Sequence, residues 1–159
     1  GISALMYYVL VYIFSNLAAF GVIGSIENAT GKIDMTDYNG LYKTNPRLAF
    51  TMMLAMFSLA GIPPFAGFFS KFFIFTSAAQ QGTPEMYVLI FIALLNTIIS
   101  LYYYLLVVKA MFINETDTPL PTFRSANSER LGLWICVAGI VFVGLVSPVY
   151  DYLLTVVLP

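Results

Sequence analysis

What most constrains this chain is where it carries no charge. Its Asp, Glu, Lys and Arg residues gather in clusters, leaving uncharged stretches at 1–26, 48–70, 72–84, 86–108 and 131–150. A helix crosses a bilayer with about 20 predominantly apolar residues. Stretches 2–26, 86–108 and 131–150 each meet that length as a single helix. Composition points the same way: 60% of residues are apolar and 9% are charged, where a soluble domain carries about 25% charged residues. So few charges cannot cover the surface of a water-soluble globule of this size. A net charge of -1 provides no basic excess for a nucleic-acid partner. Histidine is absent and Cys136 is the single cysteine, which excludes a disulfide framework, a Cys/His metal cluster and a His-based nucleophile triad.

The stretch from 48 to 80 has a different character. As one straight helix it would run to about 50 Å, against a hydrocarbon core of about 30 Å, and neither half is long enough to span alone. Its middle reads Gly61-Ile62-Pro63-Pro64-Phe65-Ala66-Gly67. The two prolines lack N–H groups, Pro64 pushes Pro63 away from the α region, and the flanking glycines tolerate irregular backbone. The prediction is one discontinuous span of two half-helices, roughly 47–61 and 68–80, with the break at 61–67. Such a break survives in a bilayer only where it is buried in protein or lines a wet cavity. The expected fold is an all-α polytopic membrane protein with four transmembrane spans, at about 2–26, 47–80, 85–109 and 131–154, in a single transmembrane region covering 1–159.

Four spans put loops 27–47 and 109–130 on one side, and loop 80–85 with the C-terminus on the other. The first side carries Lys32, Lys43, Arg47, Lys109, Arg124 and Arg130, and the second carries no Lys or Arg. The positive-inside rule then makes the two basic loops cytoplasmic and the C-terminus external. Gly1 opens directly on an apolar run without an initiator Met or a basic segment, so the chain is expected to be the C-terminal part of a longer polytopic subunit.

Lys71 is the one charge that falls deep within a span, after 23 uncharged residues and before 13 more. A charge at a span centre costs about 2.5–3.5 kcal/mol on insertion scales. The carbonyls ending the first half-helix offset part of that cost, whereas desolvation and the positive start of the second half-helix both disfavour the cation. A lysine so placed is suited to taking up and releasing a proton. The alternative is structural: Lys71 reaches toward the headgroups or pairs with an acid elsewhere. Residues 72–80 stand between it and the nearer surface.

Two helices carry polar stripes at helical spacing. The first has Tyr8, Tyr12, Ser15 and Asn16, and the third has Asn96, Thr97, Ser100, Tyr103 and Tyr104. Ser15, Asn16, Asn96, Ser100, Tyr103 and Lys109 are candidates for a proton path, with Asn96 and Ser100 the best sites for water. Hydroxyls and amides also hold packed membrane helices together, and that reading stands beside the first. Lys109 ends the third span as a headgroup cation or an exit gate. Tyr7, Tyr87, Trp134, Tyr150 and Tyr152 lie near span ends and fit an interfacial aromatic belt. Met52, Met53 and Met56 read as packing. No phosphate loop, dinucleotide fingerprint, zinc motif or nucleophile elbow occurs. The residues alone point to an ion or proton pathway without naming the ion.

The run Leu59-Ala60-Gly61-Ile62-Pro63-Pro64-Phe65-Ala66-Gly67-Phe68-Phe69-Ser70-Lys71-Phe72 resembles the signature of the antiporter-like membrane subunits of proton-pumping NADH:quinone oxidoreductase (complex I). Mrp-type cation/proton antiporters and membrane-bound hydrogenases share that signature. Leu101-Tyr102-Tyr103-Tyr104-Leu105 is most similar to the subunit N (subunit 2) branch, and Asn39-Gly40-Leu41-Tyr42 before Asn45-Pro46 resembles its linker. Leu106 stands where such tracts often continue with arginine. The resemblance covers the whole chain and implies the last four spans of a 14-span fold. That fold has two inverted five-helix repeats, each with a broken helix and a titratable residue near the midplane. Lys71 matches the lysine after the second break. The implied activity is proton translocation coupled to quinone reduction elsewhere in the complex. The alternatives are an antiporter or hydrogenase subunit, or a structural scaffold. The implied partners are other membrane subunits, lipid and protons, with no nucleic acid. This chain is expected to bind no cofactor or metal, with NAD, FMN, iron–sulfur clusters and quinone held by partner subunits. The implied location is the bacterial inner membrane.

Overall fold

The computed structural model describes residues 2–145, 152, 155 and 156, and within them the secondary structure is helical. The order is α1 (Ile2–Thr30), a 3-10 turn (Met35–Tyr38), α2 (Leu41–Thr44), α3 (Pro46–Ala60), α4 (Ala66–Ala79), α5 (Pro84–Phe112) and α6 (Asn127–Leu145). Among the described residues α1, α5 and α6 are long and apolar enough to cross a membrane, and α3 and α4 are shorter apolar helices.

The helix ends follow local chemistry. Pro46 and Pro84 occupy first-turn positions, where the missing N–H costs nothing. The Thr83 hydroxyl accepts from the Met86 N–H at 3.4 Å, with Glu85 in the same positive first turn. α1 runs four residues past the expected end at 26, and its last residue bonds back into the helix: the Thr30 hydroxyl donates to the Ile26 carbonyl at 2.7 Å. Lys32, Asp34 and Asp37 follow the helix rather than interrupt it. α4 begins at Ala66, so the interruption is shorter than expected and Gly67 lies in the first helical turn. The C-terminal end expected for the last span, at 154, and Tyr150 lie outside the described residues.

α1 is the organising helix, packing against α6, α3 and α4, while α3 also packs on α5. The main core joins Val22 and Ile26 of α1, Ala49, Met52 and Met56 of α3, Met111 of α5, and Leu133 and Ile140 of α6. Ala18 and Ala19 let neighbouring backbones approach α1 closely. Tyr7 departs from the expected aromatic belt. It is buried, and its hydroxyl donates to the Val143 carbonyl of α6 at 2.7 Å, because a phenol in an apolar interface needs a polar partner. Tyr87, Trp134 and Tyr152 are exposed.

The two basic loops meet at one end of the bundle. The Asn45 side-chain amide donates to the Pro121 carbonyl at 3.1 Å, and its Oδ1 accepts from the Phe123 N–H at 3.3 Å. The Thr122 hydroxyl donates to the Thr44 carbonyl at 3.0 Å, and the Gly40 N–H to the Ala110 carbonyl at 3.0 Å. These bonds satisfy loop backbone that would otherwise lie over apolar helix ends.

Candidate functional site

The interruption between α3 and α4 begins at Gly61, whose φ of 78° lies in the left-handed region. Gly61 N–H donates to the Ser58 carbonyl at 3.1 Å and Ile62 N–H to the Phe57 carbonyl at 3.0 Å. This is a Schellman ending, which satisfies two of the four carbonyls that a helix C-terminus leaves unpaired. A third, Leu59, accepts from the Lys71 ammonium at 2.9 Å. The Lys71 side chain thus reaches from α4 back to the partially negative end of α3.

The first turn of α4 is satisfied by a side chain from α3. Phe65, at the N-cap position, has no side-chain oxygen to supply. The Ser58 hydroxyl instead accepts from the Gly67 N–H at 3.2 Å and shares a 2.8 Å hydrogen bond with the Ser15 hydroxyl of α1. One hydroxyl therefore ties three helices together, and both serines are buried. Gly67 is required by this contact: a Cβ there would collide with the Ser58 carbonyl group. The Ser70 hydroxyl donates to the Gly67 carbonyl at 2.9 Å and completes the turn.

Lys71 is half-buried and lines a cavity of about 510 Å³ together with Tyr8 and Tyr12 of α1, Leu59, Ile74, Phe75, and Ala93, Asn96, Thr97, Ser100 and Tyr104 of α5. Asn96 and Ser100 thus share a cavity with the lysine. The other polar candidates lie elsewhere. Ser15 is engaged at the helix junction, and the Asn16 amide donates to the Tyr12 carbonyl of its own helix at 2.9 Å. Tyr103 is 60% exposed on another face of α5, and Lys109 is exposed near the end of α5. Tyr104, beside the expected Tyr103, is the tyrosine of α5 that lines the cavity, with Tyr8 and Tyr12 of α1. Gly61, Pro63 and Pro64 occupy the interruption, with Gly67 just beyond it. Among the described residues the sole ion pair is Lys43–Glu115 at 3.8 Å, so no carboxylate is paired with Lys71 there. Lys71 meets a carbonyl and a cavity with amide and hydroxyl groups in its wall, an arrangement that suits an amine in either protonation state.

Ser58 was not among the residues singled out from the sequence. Its signal was faint: a hydroxyl one turn before the glycine-proline interruption, closing an apolar run from Met52 to Phe57.

Fold and site together define an apolar helical membrane protein with an interrupted helix pair and a lysine bridging the interruption. The family model described as "NADH:quinone oxidoreductase/Mrp antiporter, TM" matches residues 1–100, and the chain belongs to that family. It is 60% identical to an NADH-quinone oxidoreductase subunit N of Phocaeicola vulgatus, over 95% of this chain and 32% of that protein. It is 55% identical to the subunit N of Azobacteroides pseudotrichonymphae, over 98% of this chain and 32% of that one. A chloroplastic NAD(P)H-quinone oxidoreductase subunit 2 of Chlorokybus atmophyticus is 38% identical, over 95% of this chain and 31% of that protein. Among solved structures, a chain of respiratory complex I from Thermus thermophilus with bound aureothin matches with a TM-score of 0.73 and 31% identity. That match covers 90% of this chain and 32% of the other. The chain thus spans about a third of the length of the relatives it matches.

Proposed function

We propose that this chain forms part of a proton-translocating membrane subunit of NADH:quinone oxidoreductase, and that Lys71 carries the proton. The observation that supports this most strongly is the 2.9 Å hydrogen bond from Lys71 to the Leu59 carbonyl left unpaired by the helix interruption, at the wall of a cavity shared with Asn96 and Ser100. A charged ammonium is held by that carbonyl, and a neutral amine is tolerated by its apolar neighbours. A change in the charge of a partner group then shifts the balance between the two. Asn96, Thr97, Ser100 and Tyr104 supply hydrogen-bonding groups along which a proton reaches or leaves the amine. The two most similar relatives named above are subunits of the oxidoreductase, which favours it over an antiporter or hydrogenase.

In this reading α3 and α4 form one discontinuous span among four, with α1, α5 and α6. Their lengths support it: 15 and 14 residues make helices of about 22 and 21 Å, each short of a 30 Å hydrocarbon core. Loops 27–47 and 109–130 face the cytoplasm of a bacterial cell, and the C-terminus lies outside the inner membrane. NAD, FMN, iron–sulfur clusters and quinone belong to other subunits, and this chain contributes no redox chemistry.

The test is Lys71→Met and Lys71→Arg in the full-length subunit of the assembled complex, with proton uptake and NADH oxidation measured in inverted membrane vesicles. The expected outcome is normal assembly with loss of proton uptake and of coupled quinone reduction. Arginine fails as methionine does, because a guanidinium does not release its proton. Pumping and quinone-linked activity that survive Lys71→Met would make Lys71 a structural residue.

A further inference from the structure

A groove larger than the Lys71 cavity lies away from it, at the end of the bundle where the two basic loops meet. It has a volume of about 940 Å³ and runs between the start of α3, the start of α6 and the loop segment 122–125. Arg47, Arg124 and Arg130 line it, and no aspartate or glutamate does so among the described residues. Among those residues no hydrogen bond or ion pair engages any of the three guanidinium groups. The nearest acid in sequence, Glu129, is turned to α1, where its carboxylate accepts from the Ser25 hydroxyl at 3.0 Å and the Asn28 amide at 3.3 Å. Toward the helix interiors the wall becomes apolar, with Phe50, Leu133, Trp134 and Val137, and Trp134 is 66% exposed.

We infer that this groove binds the phosphate headgroup of an anionic phospholipid from the adjoining leaflet, with the upper part of its acyl chains against Phe50 and Trp134. The match is one of charge and depth. Three unpaired guanidiniums lie at the level where apolar helices begin, and they recognise a phosphate by paired N–H donors. The apolar wall continues in the direction that lipid tails take, and an exposed indole belongs at the headgroup boundary. Basic pockets between helix ends on the cytoplasmic side are suited to such headgroups. An acidic polypeptide satisfies the arginines but leaves the apolar wall uncovered, so lipid is the better fit. This reading does not depend on Lys71 carrying protons.

The experiment uses the full-length protein purified in the complex it assembles in, reconstituted into phosphatidylcholine vesicles. These carry either photoactivatable phosphatidylglycerol or photoactivatable phosphatidylcholine, and labelled peptides are mapped. The groove peptides are expected to label with a preference for phosphatidylglycerol of at least about fivefold, the equivalent of about 1 kcal/mol for a basic residue near an anionic surface. Arg47→Gln, Arg124→Gln and Arg130→Gln combined should bring the two lipids within about twofold, while lysine at the same three positions keeps the charge without the paired donors and so keeps only part of the preference. Equal labelling of the unaltered protein by both lipids overturns the inference and needs no variant. So does absence of lipid labelling with the groove peptides cross-linked to another polypeptide. A preference that survives the triple glutamine variant places the anionic lipid elsewhere and equally overturns it.

Discussion

Replacing Gly67 with alanine places one methyl group where α4 crosses closest to α3. The added carbon would collide with the Ser58 carbonyl oxygen, lie 2.5 Å from its carbon and 3.2 Å from the Ser58 Cα. Carbon atoms rest at about 3.5–4.0 Å, so the two helices must part by at least about 1 Å. The obstacle is backbone, so no side-chain rotation relieves it. Overpacking of this kind costs about 1–3 kcal/mol. Parting the helices also stretches the 3.2 Å bond from Gly67 N–H to the Ser58 hydroxyl beyond useful range, for about 1 kcal/mol more. The expected loss is about 2–4 kcal/mol, a large share of the usual margin of about 5–15 kcal/mol. The assay is the temperature at which half of the detergent-solubilised full-length subunit, in its complex, survives brief heating. That temperature should fall by about 2–4 °C. Gly24→Ala is the control. It lies within α1 with nothing near the added Cβ, and alanine is favoured over glycine in a helix by about 0.5–1 kcal/mol. A Gly67→Ala subunit as heat-resistant as the unaltered one would refute the close approach and the serine cap that depends on it.

Two further substitutions probe the same junction. Ser58→Ala removes the acceptor for Gly67 N–H and the partner of Ser15 at once, so it should destabilise by about 1–3 kcal/mol. Ser15→Ala should cost less because Ser58 still caps α4, and equal losses in the same heating assay would contradict the shared role of Ser58. Gly61→Ala forces a Cβ into a φ of 78° and sets it 3.2 Å from Lys71 Cδ. It should cost about 1–2 kcal/mol from the backbone alone and lower proton uptake per NADH oxidised. Unchanged stability and uptake would mean that the left-handed ending is dispensable.

The interruption was legible from the sequence because its chemistry is local. Pro63, Pro64 and Gly61 act on their own backbone, and no distant partner is needed to see that a helix stops there. Lys71 was legible as a charge in an uncharged stretch, and its reach toward the end of α3 follows from the dipoles of α3 and α4. Gly67 was harder to place. Read locally, it serves backbone freedom in the break; in the structure it is helical and serves close approach, which depends on where Ser58 lies in three dimensions. The Ser15–Ser58 pair spans 43 positions, and a serine in an apolar helix has local carbonyls as competing partners, so spacing gave no reason to join those two. Tyr7 near a span end was indistinguishable from an interfacial tyrosine until α6 supplied the Val143 carbonyl. Arg47, Arg124 and Arg130 were visible as charges and useful for sidedness, but their convergence on one groove needs the packing of the 122–125 loop over the start of α3.

A single requirement connects the legible and illegible parts. In an apolar medium every backbone group freed by a break needs a partner. The proline-glycine run creates the need, and three side chains meet it from different elements: Ser58 across the break, Ser15 from α1 by holding Ser58, and Lys71 from the second turn of α4. The lysine is the one partner whose capacity changes with a proton. An ammonium donates three hydrogen bonds and carries a charge, whereas a neutral amine donates two and carries none. Proton loss therefore weakens the hold on the Leu59 carbonyl at the end of α3 while Ser58 keeps the helices in register. In the proposed function the junction is thus a fixed weld, Ser58 with Gly67, beside a releasable one, Lys71 with Leu59.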